Sequence, residues 1–128
     1  MSDPAPLRLG LGRAMRLQHK GEFARIREKG RRVSKGCLIA NWITLPAGSP
    51  SRLGVVTSRK LGKAHVRSRA RRLLRESFRL HQHELREPIA VVLVARASIV
   101  GRKRGEVERD YLAVLRQDGL LRPADPAL

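Results

Sequence analysis

The stretch from Leu53 to Leu80, LGVVTSRKLGKAHVRSRARRLLRESFRL, constrains the fold more than any other part of the chain. Its first residues, Leu53 to Ser58, alternate Leu53, Val55 and Thr57 with other neighbours, which is the period-two pattern of a strand. Arg59-Lys60-Leu61-Gly62 then makes a turn. Beyond it, Val66, Ala70, Leu73, Leu74 and Ser77 recur at the spacing of one helical face. On the other side Ser68, Arg72, Arg75 and Arg79 repeat in the same way, with Lys63 and Arg71 nearby and Arg67 and Arg69 on the flanks. One face of this helix is made to lean on a sheet, and the other is a ladder of guanidinium groups.

The ladder has a cost. Like charges three and four residues apart on a helix repel by a few tenths of a kcal/mol per pair, about 0.2–0.5, and only Glu76 offers local relief. Packing of the apolar face offsets this, but nothing in folding requires it. The choice of Arg over a mixture of Lys and Glu points to phosphate, whose oxygens the planar guanidinium fork matches two at a time. Composition agrees: 28 Lys plus Arg stand against 11 Asp plus Glu, a formal net charge of +17. Self-repulsion on that scale calls for a polyanionic partner, nucleic acid first and an anionic membrane second. No apolar run approaches the roughly 20 residues of a spanning helix, and MSDPAPLRLGLG has no secretory hydrophobic segment, so a cytoplasmic location is expected. Cys37 is the single cysteine. It excludes an internal disulfide and a Cys-based zinc site, and reads as a buried thiol.

In chain order, residues 1–13 read as a mobile arm, 14–117 as one domain and 118–128 as a frayed tail. Residues 15–30 form a first helix, with Leu17, Phe23 and Ile26 on one face and Gly30 placed to end it. Val33 to Leu45 reads as a strand, with a split into two pieces left open, and PAGSPS turns it toward the Leu53 strand. Pro88 resets the chain after the arginine helix. Ile89 to Ala95, IAVVLVA, has the continuous β-branched character of a strand buried on both faces. A basic loop follows, and Glu106 to Leu115 closes the fold as a short helix with Val107, Tyr111, Val114 and Leu115 on one face. The expected order is α-β-β-(β)-α-β-α.

The run Gly62-Lys63-Ala64-His65-Val66-Arg67-Ser68-Arg69-Ala70-Arg71-Arg72-Leu73-Leu74-Arg75-Glu76 resembles the signature helix of the protein subunit of bacterial ribonuclease P. That family has a G-N-A-V-x-R-N-R-x-K-R-x-x-R-E pattern there, after a strand ending in S-[KR]-[KR], here Ser58-Arg59-Lys60. Ser68 stands where the family has its central Asn, and Lys63 where it has the Asn after the first Gly. The first helix is similar too: Phe23 matches the family's first aromatic, whereas Arg27 stands at the second. The resemblance spans about residues 14–116. It implies a two-layer α/β sandwich like the second domain of ribosomal protein S5, with a left-handed βαβ crossover, a rare handedness.

It also implies roles. In that family the RNA subunit cleaves, with bound Mg2+, while the protein binds that RNA and the single-stranded 5′ leader of precursor tRNA. Carried over, Ser58, Arg59, Lys60, Lys63, Arg67, Ser68, Arg69, Arg71, Arg72 and Arg75 would bind the RNA subunit. Phe23, Arg27, Ile39, Asn41 and Trp42 would meet the leader. Trp42 alternates to the face opposite Asn41, so a bulge would be needed to aim it there. No membrane and no obligate protein partner are implied.

The residues themselves argue against an autonomous catalyst. Glu22, Glu28, Glu76, Glu84, Glu87, Glu106, Glu108 and Asp110 are scattered, and no paired carboxylate motif stands at a strand end. Glu106, Glu108 and Asp110 fit better as partners of a helix N-terminus. His19 and His65 are isolated, and His81 and His83 lie two apart, which diverges on a helix. Hence no catalytic and no metal-ligating side chain is assigned. The same charge also allows a non-catalytic ribosomal or RNA-chaperone protein, which would bind ribosomal RNA and leave precursor-tRNA cleavage unchanged. A lone metal nuclease and a DNA-binding module are the remaining rivals.

Overall fold

The computed structural model describes residues 10–12 and 15–122. It contains α1 (Lys20–Lys29), β1 (Arg31–Lys35), β2 (Leu38–Thr44), β3 (Arg52–Val56), α2 (Ala64–His81), β4 (Ile89–Ala95) and α3 (Arg104–Gln117). The strands form one sheet in the order β1-β2-β4-β3. β1–β2 and β2–β4 are antiparallel, and β3–β4 is parallel, joined through α2. The mixed α/β expectation and its element order hold.

The strand expected over 33–45 is a hairpin. Gly36, at φ +52°, breaks it, and a Cβ there would lie 2.1 Å from the Asp110 carboxylate. That carboxylate accepts the Cys37 N–H at 2.9 Å, which ties the hairpin to α3. β4 is central, as its unbroken apolar run requires. Ile89, Val91, Leu93 and Ala95 join a core with Leu38, Ala40 and Trp42 beneath α2 and α3. Ala90 and Val92 face the other way, with Leu17 and Ile26, and Phe23, Ile43, Val56 and Val94 pack against them half-buried. Helices therefore lie on both faces of the sheet, which corrects the strict two-layer expectation: α1 covers part of the second face.

Other boundaries move. Leu17 precedes α1 instead of belonging to it, and its N–H donates to the Leu53 carbonyl at 2.8 Å, so it is buried as an extension of the sheet. α3 is longer at both ends than Glu106 to Leu115. The expectation of a frayed tail fails for its first part. Asp118 accepts from Trp42 Nε1 at 2.6 Å, Leu120 is buried, and Arg122 N–H donates to the Glu84 carbonyl at 2.7 Å. Two adjacent leucines give this segment apolar surface to bury, which a polar tail lacks. In the expected mobile arm, Leu11 packs on the core and the Gly10 carbonyl accepts from Gln82 Nε2 at 3.1 Å. Residues 1–9, 13–14 and 123–128 of those segments lie outside the described residues.

Candidate nucleic-acid interface

The approach to α2 sets where its cations stand. Ser58 Oγ accepts the Lys60 N–H at 3.2 Å and so caps a short 3₁₀ turn, Arg59–Leu61, whose Leu61 is buried as an anchor. Gly62, at φ +133°, then swings the chain into the helix. Arg59, Lys60 and Lys63 are left exposed around the N-terminus of α2, and the first turn contains no acid. Unpaired N–H groups and the helix dipole add positive potential there.

Along α2, Ala70, Leu73, Leu74, Ser77 and Phe78 are buried. At 3.6 residues per turn the remaining cations fall on three strips, where the sequence suggested one ladder. The outer strip holds Ser68, Arg72 and Arg75, all exposed, and neither arginine has a side-chain partner among the described residues. Arg79 continues that strip but is bound to Glu76, Nη2 to Oε2 at 2.8 Å and Nε to Oε1 at 3.0 Å. The Arg79 guanidinium holds the Glu76 carboxyl below the usual carboxylate range. A second strip holds Arg67 and Arg71. Arg71 donates to Thr57 Oγ1 at 2.8 Å and to Ser68 Oγ at 3.1 Å, while Arg67 is half-buried, its Nε without an acceptor among the described residues. On the third strip Arg69 Nη2 donates to the Arg102 carbonyl at 2.7 Å. Among the described residues no carboxylate forms an ion pair with Arg59, Lys60, Lys63, Arg67, Arg69, Arg71, Arg72 or Arg75.

The second strip borders a groove. α1 crosses its face of the sheet without closing on the end of β3, leaving about 540 Å³ lined by Lys20, Phe23 and Arg27 of α1, Val56, Thr57 and Arg71. A smaller hollow of about 150 Å³ continues past Phe23 and Arg27 to Asn41, over Val92 and Val94. Phe23 needs Gly54 beneath it, because a Cβ there would lie 2.5 Å from the ring's Cε1. Phe23, Arg27 and Asn41 thus stand side by side around one hollow. Ile39 shares their sheet face but lines neither hollow. Trp42 does not join them. No bulge re-aims it, and it is buried under α3 with its indole N–H on Asp118.

Sequence reasoning missed what holds α1 in place. Glu22 accepts from the N–H groups of Gln18 and His19 at 3.2 and 3.4 Å and from Arg52 Nη1 at 2.5 Å, and Arg52 also donates to the Arg16 carbonyl at 3.3 Å. Arg52 chiefly, with those backbone donors, keeps the Glu22 carboxyl below the usual range despite partial burial. Only the Glu22 half had a local signal, a Glu three residues after the N-cap His19; its pairing with Arg52 had none. Arg71 beside Thr57 was also missed, since it depends on β3 and α2 meeting side by side. The acids of α3 separate. Glu106 accepts the Lys103 N–H at 3.0 Å, as expected of a helix start, whereas Glu108 binds His81 and Asp110 the hairpin. Among the described residues no three His, Cys, Asp or Glu side chains converge to hold a metal ion. Burial and the neighbouring Asp110 push the Cys37 thiol up to about 12, which leaves it inert.

Comparison with known families decides the assignment. The family described as Ribonuclease P matches residues 11–118. This chain belongs to the ribonuclease P protein family. The ribonuclease P protein component of Syntrophomonas wolfei is 34% identical over 110 residues, 86% of this chain and 92% of that protein. That of Symbiobacterium thermophilum is 33% identical over 109 residues, 85% and 95% of the two chains. The ribonuclease P protein of Staphylococcus aureus shares the fold at a TM-score of 0.75, with 23% identity, over 86% of this chain and all of the other. The Thermotoga maritima protein does so at 0.70, with 25% identity, over 80% and 96%. Membership makes this chain a protein component of ribonuclease P, the ribonucleoprotein of tRNA 5′-leader processing. Among the described residues no helix is long and apolar enough to cross a membrane.

Proposed function

We propose that this protein docks on the catalytic RNA of ribonuclease P through the cations of α2 and receives the single-stranded 5′ leader of precursor tRNA in the groove beneath α1. The holoenzyme is then an endoribonuclease that removes the leader, with the cleavage performed by the RNA. The observation that supports this best is the set of uncommitted cations: Arg59, Lys60, Lys63, Arg72 and Arg75 face solvent without a carboxylate partner among the described residues. Phosphate contacts of this kind position a folded RNA without reading its sequence. Ser58 and Ser68 would take part through their hydroxyls, and Arg67, Arg69 and Arg71 from the flanks. Because Arg71 belongs both to α2 and to the groove wall, it would join the two RNA paths. Phe23 supplies the groove's aromatic surface, with Arg27 and Asn41 at its side and Ile39 further along the same sheet face. Stacking on such a ring is tolerant of sequence.

Mg2+ would be held by the RNA. Among the described residues the protein's own side chains do not fit a site for it: no three acidic, imidazole or thiol groups converge, and Glu22, Glu76, Glu106, Asp110 and Asp118 are each engaged by an arginine, an indole or a backbone N–H. A cytoplasmic location, no obligate protein partner, kinship with that second domain of the ribosomal protein and a left-handed β3-α2-β4 crossover complete the reading.

The test is reconstitution with a ribonuclease P RNA, following precursor-tRNA cleavage at limiting magnesium. Added protein should raise the rate, and Arg72→Ala should weaken RNA binding while lowering the magnitude of the salt slope by about 0.7–0.9. A protein that leaves cleavage unchanged refutes the reading.

A further inference from the structure

A third cavity lies away from the leader groove, on the far strip of α2. It measures about 160 Å³ and sits between the first turns of that helix and the loop from β4 to α3, with His65, Val66 and Arg69 on one side and Ile99, Val100 and Gly101 on the other. Ile99 is buried and forms an apolar floor. Val100, 49% exposed, is the one large hydrophobic side chain left in solvent among the described residues. A solvated apolar lip facing the most basic helix of the molecule has no use in folding. Two planar groups flank it: the exposed His65 imidazole, and the Arg69 guanidinium held by its bond to the Arg102 carbonyl.

We infer that this cavity receives a single nucleobase splayed out of the partner RNA. The inference rests on the proposed binding to that RNA and adds a second kind of contact to it. Unstacked bases of folded RNA are held on imidazole rings, guanidinium planes and apolar side chains, which are the groups gathered here. The surroundings select an anionic tether. Lys63, Lys103 and Arg104 are exposed nearby, and the acids in reach, Glu76 and Glu106, are committed to Arg79 and Arg102. An aliphatic side chain of a protein would suit the floor but not that rim. A phosphate would suit the rim but finds no donor on the floor. A nucleotide has both an apolar face and a negative backbone.

The experiment uses the full-length protein and ribonuclease P RNA alone, with affinity measured across a salt series. Val100→Ser and His65→Ala replace exposed residues, so folding is unaffected and circular dichroism checks it. Each should weaken binding about ten-fold, the scale of one stacked base, by the same factor at every salt concentration. His65→Phe should restore affinity, because a ring without charge still stacks. Chemical probing should find one unpaired RNA base protected by the wild-type protein and reactive in the Val100→Ser complex. Unchanged affinity in both variants, a loss accompanied by a shallower salt slope, or no rescue by His65→Phe would overturn the pocket. Wild-type protein that fails to bind the RNA would instead remove the reading beneath it, a separate result.

Discussion

The two faces of the sheet use apolar residues in opposite ways. Beneath α2 and α3, Trp42, Phe78, Leu93, Tyr111 and Leu115 are buried, and even the Tyr111 hydroxyl is enclosed without a hydrogen-bond partner among the described residues. Beneath α1, Phe23, Asn41, Val56 and Val94 are only half-buried around an open groove. Among the described residues one α-helix covers the second face and two cover the first. The closed face therefore supplies most of the stability, and the open face keeps apolar surface available to a ligand.

Truncation of a large ring should separate the two faces most strongly. Phe78→Ala empties a fully buried site and should cost about 3–5 kcal/mol of unfolding free energy in a urea titration. Phe23→Ala should cost much less stability and instead lose about 1–3 kcal/mol of affinity for single-stranded leader. Equal losses of stability would mean that the α1 face is core after all. A finer cut is Trp42→Phe, which keeps a ring on the closed face but removes the donor to Asp118. It should lower stability by about 1.5 kcal/mol, the scale of a hydrogen bond to a charged group, and leave leader affinity unchanged. A drop in leader affinity would return Trp42 to the groove.

This division also marks how far the sequence could be read. The element order, the buried run of β4 and the sidedness of α2 were legible because each is a local periodicity. Phe23, Arg27 and Asn41 could be grouped only through resemblance to a known family. Trp42 shows where that carry-over stops: strand alternation already assigned it to the face opposite Asn41, and alternation was right. The docked residues 118–122, the Glu22–Arg52 clamp and the Arg71–Thr57 bond were not legible. Each joins elements brought together by tertiary packing, which no spacing along the chain encodes.

Within α2 the same logic distinguishes two arginines on one strip. Arg79→Ala removes a cation already bound to Glu76, so the salt dependence of RNA binding should change less than for Arg72→Ala, whose guanidinium has no partner among the described residues. Equal changes in slope would show that Glu76 releases Arg79 to the RNA.

The smallest expected effect is a difference in sign with pH between the two faces. At the end of α2, His81 is bonded at Nδ1 to Glu84 and at Nε2 to Glu108 of α3, 2.7 Å away. Burial works against its charged form, but the two carboxylates outweigh it and raise its pKa above the ordinary 6.5. A group raised in the folded state contributes fully below its unfolded value, and that contribution is lost as pH rises through the folded value. The urea midpoint of wild type relative to His81→Gln should therefore shrink from pH 5.5 towards pH 8.5, values chosen to bracket about 6.5. Glu22, on the α1 face, has its pKa lowered. Its contribution is present above the ordinary carboxylate value and is lost as pH falls, so wild type relative to Glu22→Gln should shrink in acid instead. A gap for His81→Gln that stays flat or widens with rising pH would mean the ring is neutral between its two carboxylates, and the α2–α3 joint would then owe nothing to charge.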